Sequence, residues 1–165
     1  MGRLTPEMVR VVTEQKLGFV ATVSDDGRPN VSPKGTLAVW DPDHLVFADL
    51  ASPRTVANLR SRPDVEVNVV DPFVRKGYRF RGTARVLDPA AEEGRYLEFF
   101  ERMGVQRARA RIRAVVVIAV TEARPLVSPL YDAGGTALPE AEVRRRWEEY
   151  YRRLAGGERD LPDPA

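Results

Sequence analysis

FADLASPRTVANLRSRPDVEV, residues 47–67, places an apolar strand, a short helix and a second apolar strand in direct succession. Ser52 is a favoured helix N-cap and Pro53 suits the first helical position, so a helix is predicted to begin there. The first N–H groups of a helix have no partner within it, and the helix dipole is positive at that end. Arg54 and Thr55 add a guanidinium and a hydroxyl. This start fits a bound phosphate, and on spacing alone it fits a plain helix cap equally well.

The segments on either side of this stretch extend the strand pattern. They alternate apolar and polar residues or are continuously apolar, and short turns such as DDGR separate them. Six strands with helices only at the periphery predict a mainly β fold, an antiparallel barrel. The predicted strands cover residues 17–24, 30–40, 45–50, 65–69, 77–87 and 113–123.

Helical patterns lie near both ends of the chain. Thr5 and Pro6 predict the start of an N-terminal helix, and an aromatic stripe at helical spacing predicts a C-terminal helix over residues 138–154. With no internal repeat or linker, residues 1–155 are predicted to form a single domain. The polar residues 156–165 are predicted to be disordered.

Composition excludes several classes of site. The 165 residues include no cysteine and one histidine, His44, which lies in a polar turn, so thiolate chemistry, a zinc site and a Ser-His-Asp triad have no support. We predict no metal site. There is no apolar run of membrane-spanning length and no signal-peptide pattern, so a cytoplasmic protein without a membrane partner is predicted.

A second polar motif, SPKGT at residues 32–36, interrupts the second predicted strand. Pro33 cannot donate to a strand ladder, and Gly35 lets another group approach the backbone closely. Lys34 and Thr36 supply a cation and a hydroxyl beside that break. A flat polar ring could bind to such a strand edge through main-chain groups, although the same residues also fit a simple bulge.

Taken together, residues 17–87 resemble the pyridoxamine 5′-phosphate oxidase-like, flavin-binding split-barrel family. The resemblance rests on the order of features: a strand with a DG turn, the SPKGT strand, LVFAD, Ser-x-Arg-Thr-x-x-Asn-Leu, and YRFRGTARVL. It implies a six-stranded antiparallel split barrel of Greek-key type, forming a homodimer with FMN at the subunit interface. The implied cofactor-binding residues are Val31, Ser32, Pro33, Lys34, Gly35 and Thr36 at the ring, Phe47, Ala48 and Asp49 beneath it, and Ser52, Arg54 and Thr55 at the phosphate.

Two departures separate this chain from the vitamin oxidases of that family. Those enzymes typically place a glutamine against the flavin where this chain has Gly77, and their C-terminus grips the vitamin phosphate. Here the C-terminus reads as an amphipathic helix. The resemblance therefore implies a flavin-binding protein rather than a vitamin oxidase, with Asn58 fitting the helix pattern in a structural role.

Three functional hypotheses follow from the sequence. The preferred one is an FMN-dependent oxidoreductase that transfers a hydride or electrons between the flavin and a small molecule, with no catalytic acid or base singled out. The alternatives are a deazaflavin-dependent reductase, whose anionic cofactor tail would bind arginines near residues 75–81, and a non-catalytic flavin carrier. Nucleic-acid binding is not expected, since the net charge is only +2. Dimerisation is expected from the apolar strand 114–120 and the C-terminal helix, because both need cover.

Overall fold

The computed structural model describes residues 2–91, 94–104, 111–131 and 138–164. Within them, seven strands form one antiparallel sheet in the order β2-β1-β5-β6-β7-β4-β3. The pairings of β1 with β5 and of β4 with β7 connect strands distant in sequence, as expected of the predicted Greek-key split barrel. The elements are α1 (Pro6–Gln15), β1 (Gly18–Val23), β2 (Pro29–Lys34), β3 (Ala38–Asp41), β4 (His44–Asp49), α2 (Pro53–Ser61), β5 (Asp64–Asp71), β6 (Lys76–Leu87), α3 (Arg95–Arg102), β7 (Ala114–Val127) and α4 (Glu140–Ala155).

The strand count is seven instead of the predicted six, because the single strand predicted over residues 30–40 is two strands. The chain turns at residues 35–37, so that β2 pairs with β1 while β3 pairs with β4. Thr36 fixes this turn: its hydroxyl donates to the Ala48 carbonyl at 2.8 Å, and it accepts from the Ala48 N–H at 3.1 Å. The two sheet edges, β2 and β3, are therefore joined covalently by a short turn.

The main core lies inside the curved sheet and includes Val20, Phe47, Val67, Phe80 and Ile118. The long strands β6 and β7 wrap around it, and their register shifts between Arg81 and Gly82, as at a β-bulge. A Cβ at Gly82 would come within 2.3 Å of the Ala119 carbonyl oxygen, so this crossing requires glycine. α1 contacts β3, β5 and β6, and α2 contacts β1, β2 and β6.

A second apolar cluster covers the outer face of β4 and β7. Tyr96 and Phe100 of α3 pack there with Val46, Val115 and Val117. The strand 114–120 is thus buried on both faces within one chain, whereas the sequence argument expected a second subunit to cover it. The prediction that this strand needs a second subunit to cover it is wrong, because α3 supplies the cover, whereas dimerisation itself stays a prediction.

The C-terminal helix α4 begins at Glu140 and ends at Ala155, slightly later than the predicted 138–154, since Pro139 takes the N-cap position. Its Trp147 is buried under the guanidinium of Arg75, which lies 3.4 Å from the ring centre. Residues 156–164 contain no helix or strand, and their predicted disorder stays a prediction. Among the described residues, no helix is both long and apolar enough to cross a membrane.

Candidate functional site

The candidate site is a cleft of about 420 Å³ between the end of β2 and the start of α2. One wall is the β2–β3 turn region, and the other is the segment that leads from β4 into α2. Thr36 holds the two walls together through its paired hydrogen bonds to Ala48. The cleft is lined by Ser32, Pro33, Lys34, Gly35, Thr36, Ala48, Leu50, Ala51 and Ser52.

Lys34 lies at the centre of a polar cluster in this cleft. Its ammonium group donates to the hydroxyls of Ser32 and, at 2.7 Å, of Ser52. The Ser52 hydroxyl in turn donates to the Asp49 carboxylate, which also accepts the Ser52 backbone N–H at 2.9 Å. A cation from β2 and an anion from β4 are thus bridged by the residue that precedes α2.

Both charges of this cluster are largely removed from solvent. Lys34 is 5% exposed and Asp49 is 2% exposed. Burial lowers the pKa of the Lys34 ammonium below its usual range, and the nearby Asp49 carboxylate partly offsets that shift. The ammonium also lies 5.4 Å from the centre of the Phe47 ring. A desolvated cation beside a cleft interacts strongly with an anion that enters it.

The first turn of α2 opens at the same place without a side-chain cap. Ser52 occupies the N-cap position, but its hydroxyl is bonded to Asp49 and Lys34 and makes no capping bond. The first turn contains no acidic residue, and its second residue is the exposed Arg54. The uncapped N–H groups of Arg54 and Thr55 therefore lie beside two cations, an arrangement suited to an anion.

β2 offers a second type of contact because it is an edge strand. Among the described residues it pairs only with β1, so the backbone groups directed away from β1 have no strand partner there. Pro29 and Pro33 are tolerated in this strand because an edge position does not require every N–H to join the ladder. Main-chain donors and acceptors of β2 are thus open beside the end of the cleft where α2 begins.

The predicted site residues fall into four groups. Ser32, Pro33, Lys34, Gly35, Thr36, Ala48 and Ser52 line the cleft. Phe47 and Asp49 are buried behind it, while Val31 and Arg54 are exposed beside it. The Thr55 side chain is buried and accepts a hydrogen bond from Asn30 at 3.2 Å, so its backbone N–H is the group left for an anion. Cofactor binding by these residues stays a prediction.

Sequence reasoning missed the polar residues that fix α2 against the β1–β2 hairpin. Asn30 donates to Thr22 at 3.1 Å and to Thr55, and Asn58 donates to Thr22 at 3.0 Å. This buried network fixes the first turn of α2 relative to β2. Only the position of Asn58 in the helix pattern pointed to it. Leu50 and Ala51, which line the cleft, carried no signal because they are small or apolar residues in a turn.

A second cleft, of about 520 Å³, lies across β1, β5 and β6. Its cation, Arg81, is paired with Glu66 at 2.7 Å, and Asp64 adds another carboxylate to the lining. This cleft is therefore unsuited to a phosphate.

His44 is bonded to Asp41 in the β3–β4 turn, 2.8 Å from its carboxylate. The described residues contain no group of three or more His, Cys, Asp or Glu that could hold a metal ion.

Comparison with known proteins identifies the family of this chain. The family model described as pyridoxamine 5′-phosphate oxidase matches residues 4–126. The chain belongs to the pyridoxamine 5′-phosphate oxidase family. An uncharacterised protein of Methanocaldococcus jannaschii is 30% identical over 123 residues, which are 73% of this chain and 78% of that protein. The residues matched by the family model include the whole cleft and end within β7.

Solved structures of similar proteins share the split-barrel fold. HupZ of Group A Streptococcus is 31% identical with a TM-score of 0.65, covering 75% of this chain and 94% of its own. An FMN-binding protein from Syntrophomonas wolfei has a TM-score of 0.63 at 15% identity, covering 76% and 87%. An F420 reductase has a TM-score of 0.56 at 23% identity, covering 73% and 98%. The last two likenesses show the fold alone.

Proposed function

We propose that this protein is a flavoprotein that binds FMN in the cleft between β2 and α2. The cofactor phosphate binds at the start of α2, and the flavin ring lies along the free edge of β2. The uncapped first turn of α2, beside the buried Lys34, is the observation that carries the proposal. Membership of the pyridoxamine 5′-phosphate oxidase family and the FMN-binding relative of the same fold support it.

The donors around the cleft fit a phosphate monoester. The Lys34 ammonium, the Arg54 guanidinium and two backbone N–H groups supply positive charge and hydrogen bonds from separate directions. A hydrogen bond to a charged group contributes about 1.5–3 kcal/mol. Several such bonds would make the phosphate the main anchor of the cofactor, and the ring would contribute through β2.

The remaining residues would orient the ring. Bound FMN supplies hydride or electron transfer, and the protein's part is to position the ring and set its electrostatic surroundings. The open backbone groups of β2 would hold the polar edge of the ring, while Thr36 keeps that strand end against β4. We infer an oxidoreductase acting on a small molecule, with no side chain assigned as an acid or base.

Vitamin oxidation is not part of the proposal. Gly77 stands where the vitamin oxidases typically carry a glutamine against the flavin. A Cβ at Gly77 would lie 2.0 Å from the Val69 carbonyl oxygen, so no side chain fits there. The substrate is therefore expected to differ from pyridoxamine 5′-phosphate.

FMN is preferred over a deazaflavin with a longer anionic tail, because the cations suggested for that tail have partners. Arg75 lies on Trp147, and Lys76 pairs with Glu140 at 2.7 Å. Arg79 and Arg81 both pair with Glu66. The F420 reductase of the same fold keeps the alternative open to test.

A homodimer remains part of the proposal, on a different surface from the one expected first. The outer face of the β1–β2 hairpin exposes apolar side chains next to the cleft: Phe19 is 46% exposed and Val31 is 61% exposed. A second copy covering this face would also enclose the flavin. Sedimentation at micromolar concentration tests this proposal, and a single species near 18.5 kDa would contradict it.

The decisive experiment is titration of flavin-free protein with FMN, riboflavin and F420, followed by absorption and fluorescence. We expect FMN to bind at least tenfold more tightly than riboflavin, which lacks the phosphate. Binding of F420 with no binding of FMN would favour the deazaflavin reductase. Failure to bind any of the three would overturn the proposal. Stopped-flow reduction by NADH and NADPH then distinguishes an oxidoreductase from a carrier.

A further inference from the structure

The start of α2 contains a serine at the N-cap position whose hydroxyl makes no capping bond. A serine at the N-cap usually accepts a hydrogen bond from the N–H of the second or third helical residue. Here the Ser52 hydroxyl donates to Asp49 and accepts from Lys34 at 2.7 Å. Its backbone N–H also donates to Asp49, at 2.9 Å.

We propose that Asp49 is a positioning residue that holds the Ser52 hydroxyl out of the capping position and so keeps the first turn of α2 open for the cofactor phosphate. This inference rests on the proposed function. Asp49 is buried behind the cleft and does not line it, so its effect passes through Ser52. Without it, the hydroxyl can rotate toward the N–H groups of the first turn and compete with the phosphate for them.

The charge of Asp49 makes a direct role in phosphate binding unfavourable. A carboxylate beside an anion site repels the anion, so its presence needs another explanation. Two hydrogen bonds to one serine supply that explanation, because they fix both the backbone and the hydroxyl of Ser52. The carboxylate also balances the buried Lys34, whose ammonium shares the same hydroxyl.

Two substitutions separate the effect of the Asp49 charge from the effect of its hydrogen bonds to Ser52. Asp49→Asn keeps an oxygen that can accept from Ser52 and removes the charge, whereas Asp49→Ala removes both. The measured quantity is the ratio of riboflavin to FMN dissociation constants, which reports the phosphate contribution and is insensitive to general damage of the ring site. We expect Asp49→Asn to keep this ratio at or above that of the wild type. Asp49→Ala should lower it about tenfold below Asp49→Asn.

The same pair of substitutions in a Ser52→Ala background tests whether the effect passes through the hydroxyl. With no hydroxyl to hold, Asp49→Asn and Asp49→Ala should give the same ratio. The proposal would be overturned if the two variants differed in this ratio by the same factor with and without Ser52→Ala. It would also be overturned if they did not differ in the protein that retains Ser52. Asp71→Asn is the matched control, because Asp71 is a buried aspartate at the end of β5 that accepts the Phe73 N–H at 2.9 Å, pairs with Arg144 at 2.9 Å and does not line the cleft. It should leave the ratio unchanged.

A flavin-free measurement keeps this test separate from the test of function. Amide hydrogen exchange at Arg54 and Thr55 should be slower in Asp49→Ala than in Asp49→Asn, because the released hydroxyl caps one of them. Equal exchange in the two variants would overturn the role of Asp49 even if FMN binds. Conversely, a wild-type protein that binds neither flavin refutes the proposed function while the exchange result still stands. If Asp49→Ala does not fold, Asp49→Ser, whose shorter side chain cannot span the same bonds, replaces it in both measurements.

Discussion

The N-termini of α1 and α2 start with nearly the same residues and have opposite surroundings. α1 begins Thr5-Pro6-Glu7, and the Thr5 hydroxyl accepts the Met8 N–H at 3.3 Å in a closed cap. α2 begins Ser52-Pro53, and its serine makes no cap. The first turn of α1 carries an acid, as the helix dipole favours, whereas the first turn of α2 carries none and includes an arginine.

The difference shows that whether a serine or threonine before proline caps a helix depends on the residues that pack against it. The backbone of Ser52, at φ −124° and ψ 62°, also lies outside the extended conformation of Thr5, at φ −73° and ψ 160°. The Ser52 hydroxyl is instead hydrogen-bonded to Asp49 of β4 and Lys34 of β2. A lost cap costs about 1 kcal/mol and a cation at the positive end of a helix adds to that cost. Such an arrangement is reasonable where a bound anion offsets both, as proposed for the FMN phosphate.

The largest effect is expected from removing the buried cation of the α2 site. Lys34→Met should weaken FMN binding by roughly 10- to 100-fold, since a charge-assisted hydrogen bond to phosphate is lost. Riboflavin binding should change much less. Isothermal titration with both flavins measures this. Lys76→Met is the control, because Lys76 pairs with Glu140 on the surface and away from the cleft. An equal loss for both flavins would show that Lys34 does not contact the phosphate.

Reversing a charge in the first turn of α2 and one in the first turn of α1 should change the stability of the flavin-free protein in opposite directions. Arg54→Glu should stabilise the flavin-free protein by about 0.5 kcal/mol through the helix dipole, and it should weaken FMN binding roughly tenfold. Glu7→Arg should destabilise the protein, because it reverses a favourable charge and breaks the Glu7–Arg10 ion pair. FMN binding should be unaffected by it. Urea unfolding and FMN titration of both variants check these expectations. A stability change of the same sign in both variants would mean that the two helix starts do not differ in this way.

Much of the fold was predictable because it depends on local patterns. The antiparallel strands, the start of α1 at Thr5-Pro6 and the start of α2 at Ser52-Pro53 follow from alternation and turn chemistry. The break between β2 and β3 was marked by Gly35 but was not predicted. It depends on Thr36 reaching Ala48, which is distant in sequence.

The sequence pointed to most of the residues that line the cleft but not to the contacts between them, and cofactor binding there stays a prediction. SPKGT was predicted to bind the flavin ring and SPRT the phosphate, and the structure brings Lys34 of the first into contact with Ser52 of the second. The roles of Asp49 and Asn30 depend on hydrogen bonds between separate elements, which a single sequence does not reveal. The cover of β7 by α3 was missed for the same reason, since an apolar strand does not identify what packs on it.

The closed cap of α1 should matter for stability alone. Thr5→Ala should destabilise the protein by about 1 kcal/mol, because the Met8 N–H loses its acceptor. Thr5→Ser should restore most of that loss. Denaturant unfolding gives both values, and FMN affinity should be the same in all three proteins. A change in FMN affinity on removal of the Thr5 hydroxyl would mean that the two helix starts are coupled.

The smallest effect expected is a pH dependence that belongs to the α2 site. Burial lowers the pKa of Lys34 in the folded state below the ordinary value of 10.5. Between the lowered pKa and 10.5, the unfolded chain binds more protons than the folded one, so the free energy of unfolding should rise with pH across that interval. Lys34→Met should lack this increase, and the difference between the two proteins removes the contribution of other titrating groups. A bound phosphate stabilises the charged ammonium and raises its pKa, so FMN should reduce the increase. An increase that is unchanged by FMN would place the phosphate too far from Lys34 to be held by it.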